Sequence, residues 1–335
     1  MWVRGQWRYT NLFAEHGGNE VKVGQFLRLV EIQTKVASMI PFFIGTLYAL
    51  YRFHEFRLVP FLLMFASLLS FDMATTAINN YIDYKKAIKT HGYGYEVHNA
   101  IVSYGLKESR VVGVIATLLV TAISSGVALV LQTDILILGL GGLSFLVGFL
   151  YSLGPIAISR MPLGELFSGL FMGFVIIFIS IYIHVDKEQL VSLTIDFRMA
   201  HLDINLIEVL LVFAISIPAV LSIANIMLAN NICDIEDDLA NKRYTLPVYI
   251  GKPSALMLFQ WLYVAAYLDV IVLFAIGVHP VLLLLIVATF IPVRRNMKKF
   301  ITKQTKEHTF VLAVKNFILM NAARILVLGL AILFS

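Results

Sequence analysis

Charge is what this sequence has least of. Asp, Glu, Lys and Arg make up 14% of its 335 residues, against about 25% in soluble domains. Hydrophobic residues make up 59%, and the mean hydropathy is +0.84. That balance excludes a soluble globular chain of this length, a disordered one and a nucleic-acid-binding one, because too little polar surface exists to meet water. The single cysteine, Cys233, excludes a disulfide framework and a cysteine-based metal cluster. The first 30 residues also lack the hydrophobic core and small-residue cleavage site of a signal peptide, mixing Arg4, Arg8, Glu15, Glu20 and Lys22 with short apolar runs. What the sequence does have is long apolar runs, and these define an all-α, polytopic membrane protein in contact with lipid.

Nine such runs are found, at 36–53, 59–82, 110–131, 134–153, 163–184, 206–231, 254–277, 279–293 and 310–334. Residues 1–30, with Trp2, Trp7, Phe13 and Phe26 among basic residues, read as an interfacial cytoplasmic segment, and 31–335 as one transmembrane domain. With nine crossings the basic residues fall unequally. Twenty-one lie in the N-terminal segment and in the second-to-third, fourth-to-fifth, sixth-to-seventh and eighth-to-ninth connections. Only Arg52, Arg57, Lys187 and Arg198 lie on the opposite side, with Arg324 inside the last run. The positive-inside rule then places the N-terminus in the cytoplasm and the C-terminus outside, in a cell membrane.

Two cytoplasmic connections hold the polar residues that composition does not explain. The second run leads into Asn79-Asn80-Tyr81-Ile82-Asp83, and the sixth into Asn230-Asn231-Ile232-Cys233-Asp234-Ile235-Glu236-Asp237-Asp238. Residues four apart share a helical face, so Asn79 pairs with Asp83, and Asn230 with Asp234 and Asp238. Oxygen ligands without cysteine or histidine suit a hard cation, above all Mg²⁺, held by a few carboxylates and by substrate phosphate oxygens. Lys242 and Arg243 follow the second cluster and add contacts for phosphates. The bland alternative for an acidic loop is a solvated turn.

These residues resemble the two aspartate-rich motifs of the UbiA superfamily of intramembrane prenyltransferases. Asn79-Asn80-Tyr81-Ile82-Asp83 is similar to Asn-Asp-x-x-Asp, and Asp234 to Asp238 to Asp-x-x-x-Asp. The resemblance implies a nine-helix bundle around a central cavity, a polyprenyl diphosphate held through Mg²⁺, and Asp83, Asp234, Asp238 and Asn79 as the metal-binding set. It implies Asn80, Asn230, Asn231, Lys242 and Arg243 as diphosphate contacts. The run from Asn230 to Asp238 with Lys242-Arg243 and Thr245-Leu246-Pro247, Tyr151-Ser152-Leu153-Gly154-Pro155 with Leu163-Gly164-Glu165, and Glu31-Ile32-Gln33-Thr34-Lys35 are closest to the branch that prenylates 1,4-dihydroxy-2-naphthoate in menaquinone synthesis. Lys35 and Tyr151 join the substrate-binding set on that ground. The likeness implies transfer to the ring carbon carrying the carboxylate, with loss of diphosphate and CO₂.

The first motif departs from the family pattern. Asn80 stands where an aspartate is usual, Ala87 where a third acid often stands, and Lys89 where another acid is frequent, so Asp83 is its one carboxylate. Asp72 lies on the same helical stripe as Thr76, Asn79 and Asp83, and an ionisable residue in the bilayer is a functional candidate, with a hydrogen bond to a neighbouring helix as the alternative. Asp269 and Arg324 are expected to pair with each other or with helix carbonyls, and His184 to lie near the outer surface, away from the motifs. The competing functions are a sibling prenyltransferase with another aromatic acceptor and a secondary transporter using Asp72, Asp269 and Arg324. Against the transporter stand the concentration of acids at one membrane face and the lack of paired interrupted segments.

Overall fold

In lipid, backbone N–H and C=O groups are satisfied only within their own segment, so long apolar runs become helices. A computed structural model describes residues 23–86, 99–152 and 157–334. Among these, eight helices are long and apolar enough to cross a membrane: α1 (Ile32–Phe53), α2 (Leu58–Lys85), α3 (Glu108–Gln132), α5 (Gly164–Tyr182), α6 (Leu206–Cys233), α7 (Lys252–Ala275), α8 (Pro280–Thr302) and α9 (Val311–Phe334). A shorter apolar helix, α4 (Ile135–Tyr151), lies between α3 and α5. The protein is an integral membrane protein, and the nine expected runs correspond to these eight full-length helices and one shorter one. Ala87, Lys89 and residues 1–22 lie outside the described residues.

Polar contacts sort to two ends of the bundle. At one end Asn80 meets the backbone at Leu29, Tyr244 meets Arg160, and Lys306 meets Asn230. At the other, Arg52 pairs with Glu208, Tyr182 bonds Asp134, and Arg57 pairs with Asp186. The sixth helix is central. It packs against α5, α7 and α9, while α1 packs against α5 and α9, and α2 runs along α3. Small residues let the central helices approach. A Cβ on Gly173 would sit 2.6 Å from the Val220 Cα of α6, and one on Gly45 2.6 Å from the Ile177 carbonyl of α5. Gly169–Val175 is wound as a π-helix, a wider turn whose Gly169 and Gly173 both lie against Val220 of α6.

Two features were not legible in hydropathy. The eighth helix extends past the expected boundary near 293 to Thr302, because Val293, Met297 and Phe300 are buried at helical spacing while Arg294, Arg295, Lys298 and Lys299 face outward. Between α5 and α6 lies an antiparallel hairpin of β1 (Val191–Ile195) and β2 (Ala200–Ile204), with Val191 opposite Ile204. Asp196 closes its turn by accepting from the Arg198 and Met199 amides at 3.0 and 2.8 Å, and these bonds hold its carboxyl below the usual range.

His184 lies at the end of the bundle away from the two motifs, and it is fully buried. Its Nδ1 accepts the Arg57 amide at 3.0 Å and its ring stacks on Phe56, so it ties the α1–α2 turn to the end of α5. Burial, with the nearby Arg57 cation, pushes its pKa down to about 4. The unfolded chain, titrating near 6.5, therefore binds the extra proton between about pH 6.5 and 4. Stability should fall by about 3 kcal/mol as pH drops through that window. Thermal unfolding of wild type and His184→Gln in detergent, from pH 7.5 to 4.5, measures this. Equal pH slopes for the two proteins would refute it.

Candidate functional site

The sixth helix ends where its acids begin. Asp234 leaves helical geometry at φ −105°, and a short helix, Ile235–Ala240, restarts the chain. The four-residue spacing then divides the acids. Asp234 and Asp238 turn inward, whereas Glu236 and Asp237 face solvent. Asp238, 2% exposed, accepts from the Thr245 hydroxyl at 3.0 Å and lies 3.4 Å from Arg243 Nε. Burial raises its carboxyl above the ordinary range, and Arg243 and Thr245 pull it partly back. The Arg243 guanidinium also donates to the Ser159 carbonyl at 3.4 Å, and the Tyr244 amide to the Arg160 carbonyl at 3.2 Å. The loop after the second motif is thereby fastened to the α4–α5 connection. Lys242, exposed and at a left-handed φ of 54°, stands at the bend.

Asp234 has a partner that sequence reasoning counted only as one basic residue among many. Lys306 Nζ lies 2.5 Å from Asp234 Oδ2 and donates to Asn230 Oδ1 at 2.6 Å, and the Asn230 amide reaches Asp234 at 3.4 Å. Nothing in the spacing of the eighth-to-ninth connection singles Lys306 out. Glu165 is a second omission. It is buried in the first turn of α5, its Oε1 accepts the Asn231 amide at 2.8 Å, and its Oε2 has no partner. An acid opening an apolar run was the available signal. Tyr151, at the end of α4, bonds Ser168 one turn along from Glu165.

The first motif faces a different neighbourhood. Asn80 donates to the Leu29 carbonyl at 2.9 Å, and its own carbonyl accepts from Asn99, the N-cap of the short helix Ala100–Ser103. Asn80 therefore holds the segment before α1 against α2, and an aspartate there would set a carboxylate against a carbonyl oxygen. Asp83 is exposed and Asn79 half-buried near the end of α2. Deeper in α2, Asp72 is closed into a network. Lys35 Nζ contacts its Oδ1 at 2.5 Å and Thr76 at 2.7 Å, while Ser38 donates to its Oδ2 at 2.5 Å. Asp269 and Arg324 form a second closed pair, with contacts of 2.6 and 2.7 Å. The residues a transporter path would need are thus spent in two separate pairs.

The structure joins the second motif, Glu165, Arg243 and Lys306, but among the described residues no three His, Cys, Asp or Glu side chains converge as a metal cage. The donor set is nonetheless all oxygen. That fits a Mg²⁺ ion shared between one or two carboxylates and phosphate oxygens, since Mg²⁺ is seldom caged by protein alone.

The model of the UbiA prenyltransferase family matches residues 38–321. A 1,4-dihydroxy-2-naphthoate octaprenyltransferase of Bacillus subtilis (strain 168) is 32% identical over 258 residues, covering 76% of this chain and 75% of its own. The fold is similar to the apo structure of a UbiA homolog from Aeropyrum pernix K1, with a TM-score of 0.63 and 19% identity over 90% of this chain and 98% of that one. It is also similar to a UbiA homolog from Archaeoglobus fulgidus bound to GPP and Mg²⁺, with a TM-score of 0.61 and 16% identity over 92% and 99% of the two chains.

Proposed function

The chain belongs to the UbiA prenyltransferase family, and from that premise we propose that it transfers a polyprenyl group from polyprenyl diphosphate to 1,4-dihydroxy-2-naphthoate, releasing diphosphate and CO₂ in the menaquinone pathway. The observation that carries the choice of acceptor is the 32% identity to the dihydroxynaphthoate enzyme, which spans three quarters of both chains. The residues that would hold Mg²⁺ are Asp234 and Asp238 on one side and Asp83 with Asn79 on the other. A bound ion supplies charge neutralisation to the departing diphosphate.

The chain's own residues do the rest of the work in this reading. Lys242 and Arg243 contact the phosphates, and Arg243 is held for that task by Asp238 and the Ser159 carbonyl. Asn230 and Asn231 orient the acids around them, and Asn80 fixes the helix end that carries Asp83. Lys35 and Asp72 neutralise each other and so stiffen the contact between α1 and α2. The diphosphate leaves with the electron pair of the C–O bond. The electron-rich ring then forms the new C–C bond to the allylic cation, and the electron pair of the ring–carboxylate bond returns to the ring as CO₂ departs. A low-dielectric cavity strengthens each of these electrostatic contacts.

Mass spectrometry of the products tests the reading, using purified protein, Mg²⁺, geranyl diphosphate, and 1,4-dihydroxy-2-naphthoate or 4-hydroxybenzoate as acceptor. A prenyl adduct lacking the mass of CO₂, formed from the naphthoate alone, is the expected product. An adduct only with 4-hydroxybenzoate, or one that keeps the carboxylate, would refute it.

The motif-bearing end is proposed to face the cytoplasm in the cell membrane, on the strength of the basic residues gathered there. Asn241 and Arg198 are both exposed, the first beside the second motif and the second on the hairpin. In a Cys233→Ser background, Asn241→Cys should label only after the membrane is permeabilised, and Arg198→Cys from outside in intact cells. Labelling of both from one side would overturn the orientation.

A further inference from the structure

Lys306 sits on oxygens that the proposed reaction needs. Its ammonium lies 2.5 Å from Asp234 Oδ2 and 2.6 Å from Asn230 Oδ1, so two oxygens of the second motif already coordinate a cation. An ammonium held there opposes the approach of a divalent ion, which would come to the same carboxylate at about 2.0–2.1 Å and be repelled by the positive charge already on it. The position of Lys306 is built into the connection between α8 and α9. The Thr305 carbonyl accepts from the Thr309 and Phe310 amides at 3.1 and 3.0 Å, the Thr309 hydroxyl accepts from the Thr305 amide at 2.8 Å, and Gln304 caps the carbonyls of Phe300 and Ile301 at 2.7 and 2.6 Å. This turn closes on its own hydrogen bonds, and the Lys306 side chain, 45% exposed, projects from it to the motif beside the Phe310 ring, 5.8 Å away. A flexible stem carrying a compact point charge suits a cation that changes partners, and the same ammonium is a good ligand for phosphate.

We propose that Lys306 is an exchangeable counter-ion of the second motif, which neutralises Asp234 and passes to the diphosphate when a divalent cation takes that carboxylate. This rests on the reading of the site as a diphosphate site. The exchange keeps the charge of the acids compensated before substrate arrives, and it adds a basic contact from a third connection once substrate is bound.

Two direct binding measurements on the full-length protein in detergent test it: Mn²⁺ alone, titrated by electron paramagnetic resonance, and geranyl diphosphate in saturating Mg²⁺, by calorimetry. Lys306→Met should bind Mn²⁺ about five- to tenfold more tightly, since the competing ammonium is gone, and geranyl diphosphate about tenfold more weakly. Lys306→Arg, which keeps the charge, should retain most of the wild-type geranyl diphosphate affinity. Equal or weaker Mn²⁺ binding by Lys306→Met overturns the proposal, and so does unchanged affinity for geranyl diphosphate. The wild-type titration is a separate control. A wild-type protein that binds Mn²⁺ but no geranyl diphosphate refutes the diphosphate reading and the second half of the exchange, while the Mn²⁺ comparison still decides whether Lys306 competes for Asp234.

Discussion

Asp234→Asn should lower the rate of prenyl transfer by about a thousandfold while leaving the amount and thermal stability of folded protein unchanged. The substitution removes a carboxylate that would hold the cation neutralising the departing diphosphate, and losing a preorganised electrostatic partner for the leaving group costs about 10²–10³ in rate. Asp234 lies partly open at a helix break, so its amide fits the same space. The neighbouring acid should behave differently. Asp238 is buried against the partly exposed Arg243 and the buried Thr245, so Asp238→Ala leaves the Thr245 hydroxyl without its acceptor and Arg243 without its carboxylate, and should cost about 1–2 kcal/mol of stability in addition to activity. Asp238→Asn keeps an acceptor for Thr245 and should lose activity with less damage to the fold. Turnover and unfolding in detergent, measured side by side, separate the two effects. Full activity of Asp234→Asn with an unchanged Mg²⁺ requirement would remove the second motif from the chemistry.

The largest effect on stability is expected in the middle of the bundle. Arg324 of α9 makes a two-pronged ion pair with Asp269 of α7, and both residues are 2% exposed. The seventh helix is interrupted between Ala265 and Asp269, and the guanidinium also donates to the Ala266 carbonyl at 2.9 Å and the Met320 carbonyl at 2.7 Å. One side chain therefore satisfies the freed backbone of the break and neutralises the acid beside it. Arg324→Met or Asp269→Leu alone leaves an uncompensated charge in a low-dielectric interior, and each should cost about 3–5 kcal/mol. The double variant should recover a large part of that loss, since replacing both partners with apolar residues removes the stranded charge. Equal stability of wild type and the single variants would show that the pair does not hold α7 to α9.

The crossings and the two motifs were legible along the chain because a bilayer imposes a one-dimensional code. Twenty apolar residues must be helical, and an acid or amide at their end stands out against them. The pairing of Asp269 with Arg324 was legible for the same reason, since an isolated charge in lipid needs a partner. The direction of a side chain within a motif was not. Asn79, Asn80 and Asp83 read as one cluster, yet the Asn80 amide is spent on Leu29 while Asp83, about 60° away around the helix and a turn further along it, faces outward beyond the cover of the segment before α1.

Composition and hydropathy by themselves determined a helical membrane protein with two acid-and-amide clusters at ends of its helices, and the motif pattern determined the family. Tertiary structure alone decided which polar groups compensate the second motif and its neighbours. Lys306 is 72 residues from Asp234 and one of several basic residues in its connection, and Glu165 lies 66 residues from Asn231. Such pairs form because helices of fixed length return the chain to the same end of the bundle, and a charge brought there at low dielectric must find its counterpart among whatever side chains the packing delivers.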